Sequence, residues 1–308
     1  MGGMSLFGIL NINKPPGCTS RDVVNCIERL ARPARCGHAG TLDPLASGVL
    51  VVCVGRATRL IRYVQRMPKR YRATFLLGRS SPTDDVEGEI APLPDAPQPS
   101  REVIEALLPR FVGSIEQRPP DYSAIKIAGK RAYELARRGE ALELAPRTVT
   151  IYRLAVERYD YPELELEIEC GSGTYVRALG RDLAAALGTA TVMSTLERTA
   201  IGGFAAEDAV RLDDLKSEAD VLPNLHPPLS AVTSLPRVML TDDQHIEIHH
   251  GRPIARPTGA TGRASVTATT EWAAVDESGQ LVAILYDKRA GEFWPAMNFS
   301  SQFTRSSE

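Results

Sequence analysis

Gly37-His38-Ala39-Gly40-Thr41-Leu42-Asp43-Pro44-Leu45-Ala46-Ser47-Gly48, running into Val49-Leu50-Val51-Val52-Cys53-Val54, is the stretch on which the fold turns. It reads as a glycine-rich loop, one carboxylate beside a proline, a small-residue turn and then a strand. The run after Gly48 is short, β-branched and nearly continuous, the pattern of a strand buried on both faces. Asp43 is thereby presented at the rim of a core sheet, in a loop whose glycines let another backbone come close. Asp-Pro is also an ordinary helix start, with Asp as N-cap and Pro at the first helical position. From this stretch alone both readings stay open.

Working outward, Ile9 to Asn13 reads as a strand that ends in Lys14-Pro15-Pro16-Gly17-Cys18-Thr19-Ser20. Thr19 or Ser20 can cap a helix with Val23, Ile27 and Leu30 on its apolar face, and Arg32-Pro33 ends it. Beyond Gly55 comes a basic amphipathic segment with Ala57, Leu60, Ile61 and Val64 as its apolar side, then a strand from Lys69 to Gly78. A proline-rich stretch from Ala91 to Ser100 is a surface linker, and Ser100 starts a helix through Val103, Ile104, Leu107, Leu108 and Phe111. Residues Arg118 to Pro146 form an excursion from the sheet, with a short basic helix from Arg131 to Arg138 closed by Gly139. Glu163 to Cys170 alternates strictly, glutamates outward and Leu164, Leu166, Ile168 and Cys170 inward, which predicts a half-buried strand. Gly171-Ser172-Gly173-Thr174 then turns into a helix with Val176, Leu179, Leu183 and Leu187 inside.

The 308 residues point to two domains rather than one, with a boundary in the turn-rich run from Leu222 to Pro236. Past it, Val238–Leu240, Trp272–Val275 and Leu281–Tyr286 predict short strands of a small β domain. No apolar run approaches the roughly 20 residues that span a bilayer, and Met1 to Leu10 lacks the basic start of a secretory signal. The five cysteines are scattered and never spaced Cys-x-x-Cys, which argues against a disulfide framework or a zinc site and for a reducing cytoplasm. Net charge is −2, yet Arg56, Arg59, Arg62, Arg66, Lys69, Arg70, Arg72 and Arg79 follow one another with no acid until Asp84. Such a locally basic surface on a neutral chain fits a polyanion held in one groove, or a run of solvated arginines.

Tyr71, between Arg70 and Arg72, has the composition of a base-stacking site flanked by phosphate contacts; a core tyrosine is the plainer reading. Gly171 to Thr174 lacks the Gly-Lys-Ser/Thr ending of a nucleotide P-loop and reads as a strand-to-helix turn. Arg177, just beyond it, can bind a carboxylate through both nitrogens of its fork. His38 reads as a loop hydrogen-bonder, with a phosphate or base contact as the functional alternative. No clustered Cys/His or repeated carboxylate suggests a catalytic metal.

Taken together, the blocks Lys14–Ser20, Gly37–Gly48, Lys69–Arg72, Gly173–Arg177 and Leu196-Glu197-Arg198-Thr199 resemble, in order and spacing, the motifs of the TruB family of bacterial tRNA pseudouridine-55 synthases. The resemblance runs from about Gly8 to Phe204 and weakens beyond. The family usually has threonine where Ser81 stands. The resemblance implies an α+β fold with a mixed, mainly antiparallel central sheet flanked by helices, in a catalytic domain over 1–233. It further implies a basic RNA-binding insertion at about 118–146 and a small barrel-like PUA-type domain over 234–308. The implied activity is isomerisation of uridine 55 in the tRNA T loop, with base flipping and no cofactor, by a cytoplasmic monomer. By position, Asp43 becomes the essential carboxylate, as nucleophile or as stabiliser of the sugar centre, Tyr71 and Arg177 its catalytic partners, and His38, Tyr71, Tyr175 and Leu196 the base pocket. Lys14, Lys69, Arg70, Arg72, Lys126, Lys130 and Arg131 become the candidate RNA contacts. Two other readings share these residues: an RNA-binding or RNA-folding protein without catalysis, and a carboxylate glycosidase, which would need a second acid.

Overall fold

The computed structural model describes residues 6–122, 126–127, 130–131, 144–256, 271–289 and 291–300. Its main sheet is built from β1 (Gly8–Lys14), β2 (Cys36–His38), β3 (Ser47–Val54) and β4 (Lys69–Leu77). A two-residue pair, β5 (Arg79–Ser80) with β6 (Ala91–Pro92), precedes β7 (Gly113–Gln117). The short hairpin β8 (Lys126–Ile127) with β9 (Lys130–Arg131) leads to β10 (Arg147–Asp160), β11 (Glu163–Cys170), β12 (Thr191–Ile201), β13 (Phe204–Ala205) and β14 (Val210–Arg211). The strand order is β14-β1-β3-β12-β4-β11-β10-β7, with β2 on β3 and β13 on β12. Only β1–β14 and β3–β12 are parallel, so the sheet is mixed and mainly antiparallel, as expected.

Local sequence explains the elements that flank the site. The helix Ser20–Leu30 opens on a reciprocal cap between Thr19 and Asp22, which satisfies donors the first turn would otherwise leave orphaned. Strand β3 is buried along nearly its whole length, as its unbroken β-branched run predicts. Strand β11 pairs β10 on one side and β4 on the other, with its leucines and Ile168 in the core. The helix Arg101–Leu107 starts at Ser100 as predicted, but Val103 faces solvent, while Ile104 and Leu108 are buried and Leu107 and Phe111 pack beside them. Arg131 lies in the β9 strand rather than at the start of a helix; the rest of the predicted helix, 132–138, lies outside the described residues.

A second sheet, β15 (Arg237–Met239), β16 (Ile254–Ala255), β17 (Glu271–Val275), β18 (Leu281–Arg289) and β19 (Glu292–Asn298), runs in the order β15-β17-β18-β19-β16. Strands β15, β17 and β18 match the three expected here, whereas the helix Asp242–His249 was not expected. Its two isoleucines, Ile246 and Ile248, stand two apart, a spacing that imitates a strand rather than a helix.

The basic run does not line one groove. Arg56 donates to the Ser300 carbonyl (3.0 Å), Arg59 to that of Asn298 (3.1 Å) and Arg62 to the Glu271 carboxylate (2.6 Å). Their guanidinium groups also lie over the rings of Phe7, Phe299 and Tyr63, at 4.9, 5.4 and 4.8 Å. Beneath them Ala57, Leu60 and Val64 share one core with Ala273, Leu281 and Ile284 of the second sheet and with Phe299 just beyond it. The first half of the predicted polyanion surface is thus a latch between the two sheets.

Candidate active site

The loop carrying Asp43 links β2 to β3. Strand β3 meets β12 in parallel over only Glu197↔Ser47 and Arg198↔Gly48, while β12 runs antiparallel to β4 along its length. Beside this contact a cleft is lined by Leu196 of β12 and Tyr71 of β4. Gly48 makes the β3–β12 contact possible: it sits at φ +93°, and a Cβ there would lie 2.3 Å from the Arg198 carbonyl oxygen, so both the backbone conformation and the approach require glycine. Asp43-Pro44 forms a turn closed by Ala46 N–H on the Asp43 carbonyl (3.0 Å). It does not cap a helix.

The cleft is lined by Thr41, Leu42, Asp43, Tyr71, Thr174, Tyr175, Val176, Arg177 and Leu196. Five of the six expected pocket and catalytic side chains therefore come together from four separate segments: Asp43, Tyr71 and Arg177 with Tyr175 and Leu196 around them. His38 does not join them. It sits on β2 with its ring Nδ1 buried and unpartnered, and burial holds its imidazole below the usual value.

Arg177 organises the site. Its Nη2 lies 3.0 Å from the Asp43 carboxylate and donates to the Tyr122 carbonyl at 3.0 Å. Its Nη1 lies 3.1 Å from Asp85 and donates to the Thr83 carbonyl at 2.8 Å. The two carboxylates differ sharply: the Asp43 side chain is 36% exposed and that of Asp85 only 2%. Asp85 is fixed further by the Thr83 hydroxyl (2.5 Å) and the Glu87 N–H (3.1 Å). Asp85 is absent from the candidates named from the sequence; its place beside the turn residues Ser81, Pro82 and Thr83 is the one local signal for it.

Tyr71 is almost fully buried, and that burial pushes its phenol above the usual value, against the opposing pull of Arg198. At neutral pH it is a neutral ring with a proton on its oxygen, suited to stacking rather than to acting as a free base. The pleat also separates it from its neighbours. Successive strand residues point to opposite faces, so Arg70 and Arg72 leave β4 on the exposed side while Tyr71 faces the cleft. They do not flank a base stacked on Tyr71. Arg72 is instead held by Glu157 (3.1 Å), Glu165 (3.6 Å) and Glu197 (3.2 Å).

Two further RNA-contact candidates are corrected by burial. Lys14 is fully buried, and its ammonium donates to the carbonyls of Ala46 (2.6 Å), Pro15 (3.0 Å) and Pro44 (3.3 Å). It fastens the Asp43 loop from below. Lys69 is 6% exposed and donates to the carbonyls of Gln65 and Met67; burial brings its amine down to about 8. Long cationic side chains are good phosphate ligands only where they reach the surface, which these two do not.

The profile described as TruB family pseudouridylate synthase (N terminal domain) matches residues 28–176. The tRNA pseudouridine synthase B of Arthrobacter sp. (strain FB24) is 42% identical over 289 residues, which cover 92% of this chain and 93% of that one. The chain belongs to the TruB family of pseudouridylate synthases. The tRNA pseudouridine synthase B of Caulobacter sp. (strain K31) is 40% identical over 302 residues, 96% of this chain and 97% of that one. Among solved structures, a chain of the Cbf5-Nop10-Gar1 complex matches with a TM-score of 0.72 at 28% identity, covering 91% of this chain and 78% of that one. As a TruB-family member the chain is an isomerase that forms pseudouridine in tRNA, and the second, curled sheet fits the PUA-like domain expected from its sequence.

Proposed function

We propose that the chain isomerises uridine 55 in the T loop of tRNA, with Asp43 as its one catalytic carboxylate. The observation that carries this reading is the partly exposed Asp43, held by the Arg177 fork at 3.0 Å, facing a cleft walled by Tyr71, Tyr175 and Leu196. The reaction breaks the N1–C1′ glycosidic bond, turns the base and joins C5 to C1′; the C5 proton leaves and N1 takes one up. Asp43 attacks the electron-poor C1′ as the nucleophile, and its expulsion by C5 restores the carboxylate. Tyr71 stacks on the base while it turns. Arg177 keeps one Asp43 oxygen engaged so that the other is aimed at the sugar.

A base inside a folded T loop is out of reach, so the target nucleotide is flipped into the cleft at a cost of a few kcal/mol, which stacking on Tyr71 offsets at about 1–3 kcal/mol. Residues 1–233 serve as the catalytic domain and 234–308 as an RNA-binding domain. The insertion at about 118–146, with Lys126, Lys130 and Arg131, contacts the T arm. The enzyme works as a cytoplasmic monomer. Asp85 speaks against a glycosidase: it is a second carboxylate, but a buried one tied to Arg177, and it does not line the cleft.

The test is tritium release from a T-arm RNA labelled at uridine C5, run beside Asp43→Asn. Release that vanishes with Asp43 supports the reading. Release of free uracil instead points to a glycosidase, and binding without either points to an RNA-folding protein.

A further inference from the structure

We propose that Gln117 and Arg147 form a two-handed clamp that sets the position of Tyr175 and, through it, of Arg177. Both are positioning residues, and the inference rests on the reading of the cleft given above. The two stand directly opposite each other, Arg147↔Gln117, across the β7–β10 pair. Gln117 is the last residue of β7 and is fully buried. Its whole amide is committed to one residue: Nε2 donates to the Tyr175 carbonyl at 3.0 Å, and Oε1 accepts the Tyr175 N–H at 2.8 Å. Arg147 holds the side chain of the same residue, with its guanidinium 4.4 Å from the centre of the Tyr175 ring, and donates to the Gly173 carbonyl.

Such a clamp is needed because the local sequence does not fix Tyr175. It occupies the N-cap position of the helix Val176–Ala186, without a side-chain cap bond, whereas helix starts are ordinarily secured by Ser, Thr, Asp or Asn. The turn before it passes through Gly173 at φ +88°, the residue type with the least conformational preference. The amide of Gln117 supplies from another strand what a capping side chain would have supplied locally. A buried glutamine is also a costly way to fill space, since each of its polar atoms must find a partner; an apolar side chain would have served a purely packing role. Arg177 follows Tyr175 by two residues in the first turn of that helix. A shift at Tyr175 therefore moves both a wall of the cleft and the fork that holds Asp43.

The test compares Gln117→Glu, Gln117→Met and the unaltered enzyme on full-length tRNA by tritium release, with Asp43→Asn run separately to test the reading of the cleft. A protonated glutamic acid can still donate to the Tyr175 carbonyl and accept its N–H; an ionised one loses the donor. Burial raises a carboxyl's pKa and the Arg147 guanidinium opposite lowers it, so kcat of Gln117→Glu is expected to be highest at the acid end of the range and to fall as pH rises through the resulting pKa, an alkaline loss the unaltered enzyme lacks. Gln117→Met is expected to lower kcat by about 10- to 100-fold at every pH. KM for tRNA is expected to stay within about threefold, because affinity comes mainly from phosphate contacts elsewhere. A second readout does not depend on catalysis. Hydrogen exchange of the Tyr175 amide should quicken by about tenfold in Gln117→Met, with the later turns of the helix unchanged. Unaltered kcat and unaltered Tyr175 exchange in Gln117→Met overturn the clamp, as does a loss in Gln117→Glu that follows Tm rather than protonation.

Discussion

Asp43 and Asp85 share one arginine, and replacing each by asparagine should separate catalysis from stability. Arg177 and Asp85 form a buried pair, 7% and 2% exposed, at 3.1 Å. In Asp85→Asn the new amide still accepts from Thr83 and Glu87 in place of Asp85, but its NH₂ faces the Arg177 nitrogen, donor against donor. Removing one partner of a buried pair costs about 3–5 kcal/mol; the low end applies, because Arg177 keeps Asp43 and two carbonyls. About 3 kcal/mol corresponds to a Tm lower by roughly 6–12 °C, at about 2–4 °C per kcal/mol for a domain of this size. Asp43 is 36% exposed, and pairs so open to water contribute about 0–1 kcal/mol. Asp43→Asn should therefore keep its Tm within about 4 °C and release no tritium above background. Asp85→Asn should lose stability and, through a loosened Arg177, about 100-fold in kcat. Calorimetry and the tritium assay on the same preparations check both halves. If Asp85→Asn is thermally silent, or if Asp43→Asn loses as much stability as Asp85→Asn, the division of labour around Arg177 is wrong.

Lys14→Met takes the ammonium away from the buried Ala46 carbonyl, a loss of about 1–3 kcal/mol, while the Pro44 carbonyl keeps the Gly17 N–H at 2.8 Å; kcat should fall while tRNA affinity, measured by filter binding, holds. Lys69 has a folded-state value of about 8 against 10.5 for the free amine. Between those values the unfolded chain holds a proton the folded one has lost, so this group adds stability as pH rises, by about 1 kcal/mol from pH 7 to pH 9. Denaturant titrations of the unaltered chain and Lys69→Met at both pH values should differ by that amount, and equal slopes with pH would discard the assignment. Replacing Arg56, Arg59 and Arg62 together by alanine removes three ring contacts worth about 0.5–1 kcal/mol each. It should speed proteolysis between residues 222 and 236 and raise KM for full-length tRNA while sparing an isolated T-arm stem-loop; an equal loss on both substrates would count against the latch.

Much of the local structure is legible along the chain because its causes are local. The unbroken Val49–Val54 run, the Glu/Leu alternation from Glu163 to Cys170 and the Thr19–Asp22 cap each depend on residues a few positions apart. Asp43, Tyr71 and Arg177 could be singled out by motif because each stands in a distinctive local setting. The isoleucine spacing in Asp242–His249 misled for the same reason: periodicity is a weak signal when only two apolar residues carry it.

Tertiary structure decided which side of the sheet each charge occupies and which partner it finds. Arg70 and Arg72 looked like neighbours of Tyr71 in sequence, but the two-residue pleat turns them to the opposite face. Lys14 and Lys69 looked like surface cations until strand packing closed over them. Arg56, Arg59 and Arg62 reach residues 209 to 244 positions away, and Gln117 meets Tyr175 across 58. Asp85 becomes part of the site only because Arg177 can span both carboxylates once two distant segments are packed together. Sequence alone determined the elements and the chemistry carried by single motifs. The fold decided burial, facing and pairing, because those depend on contacts between segments that no local pattern encodes.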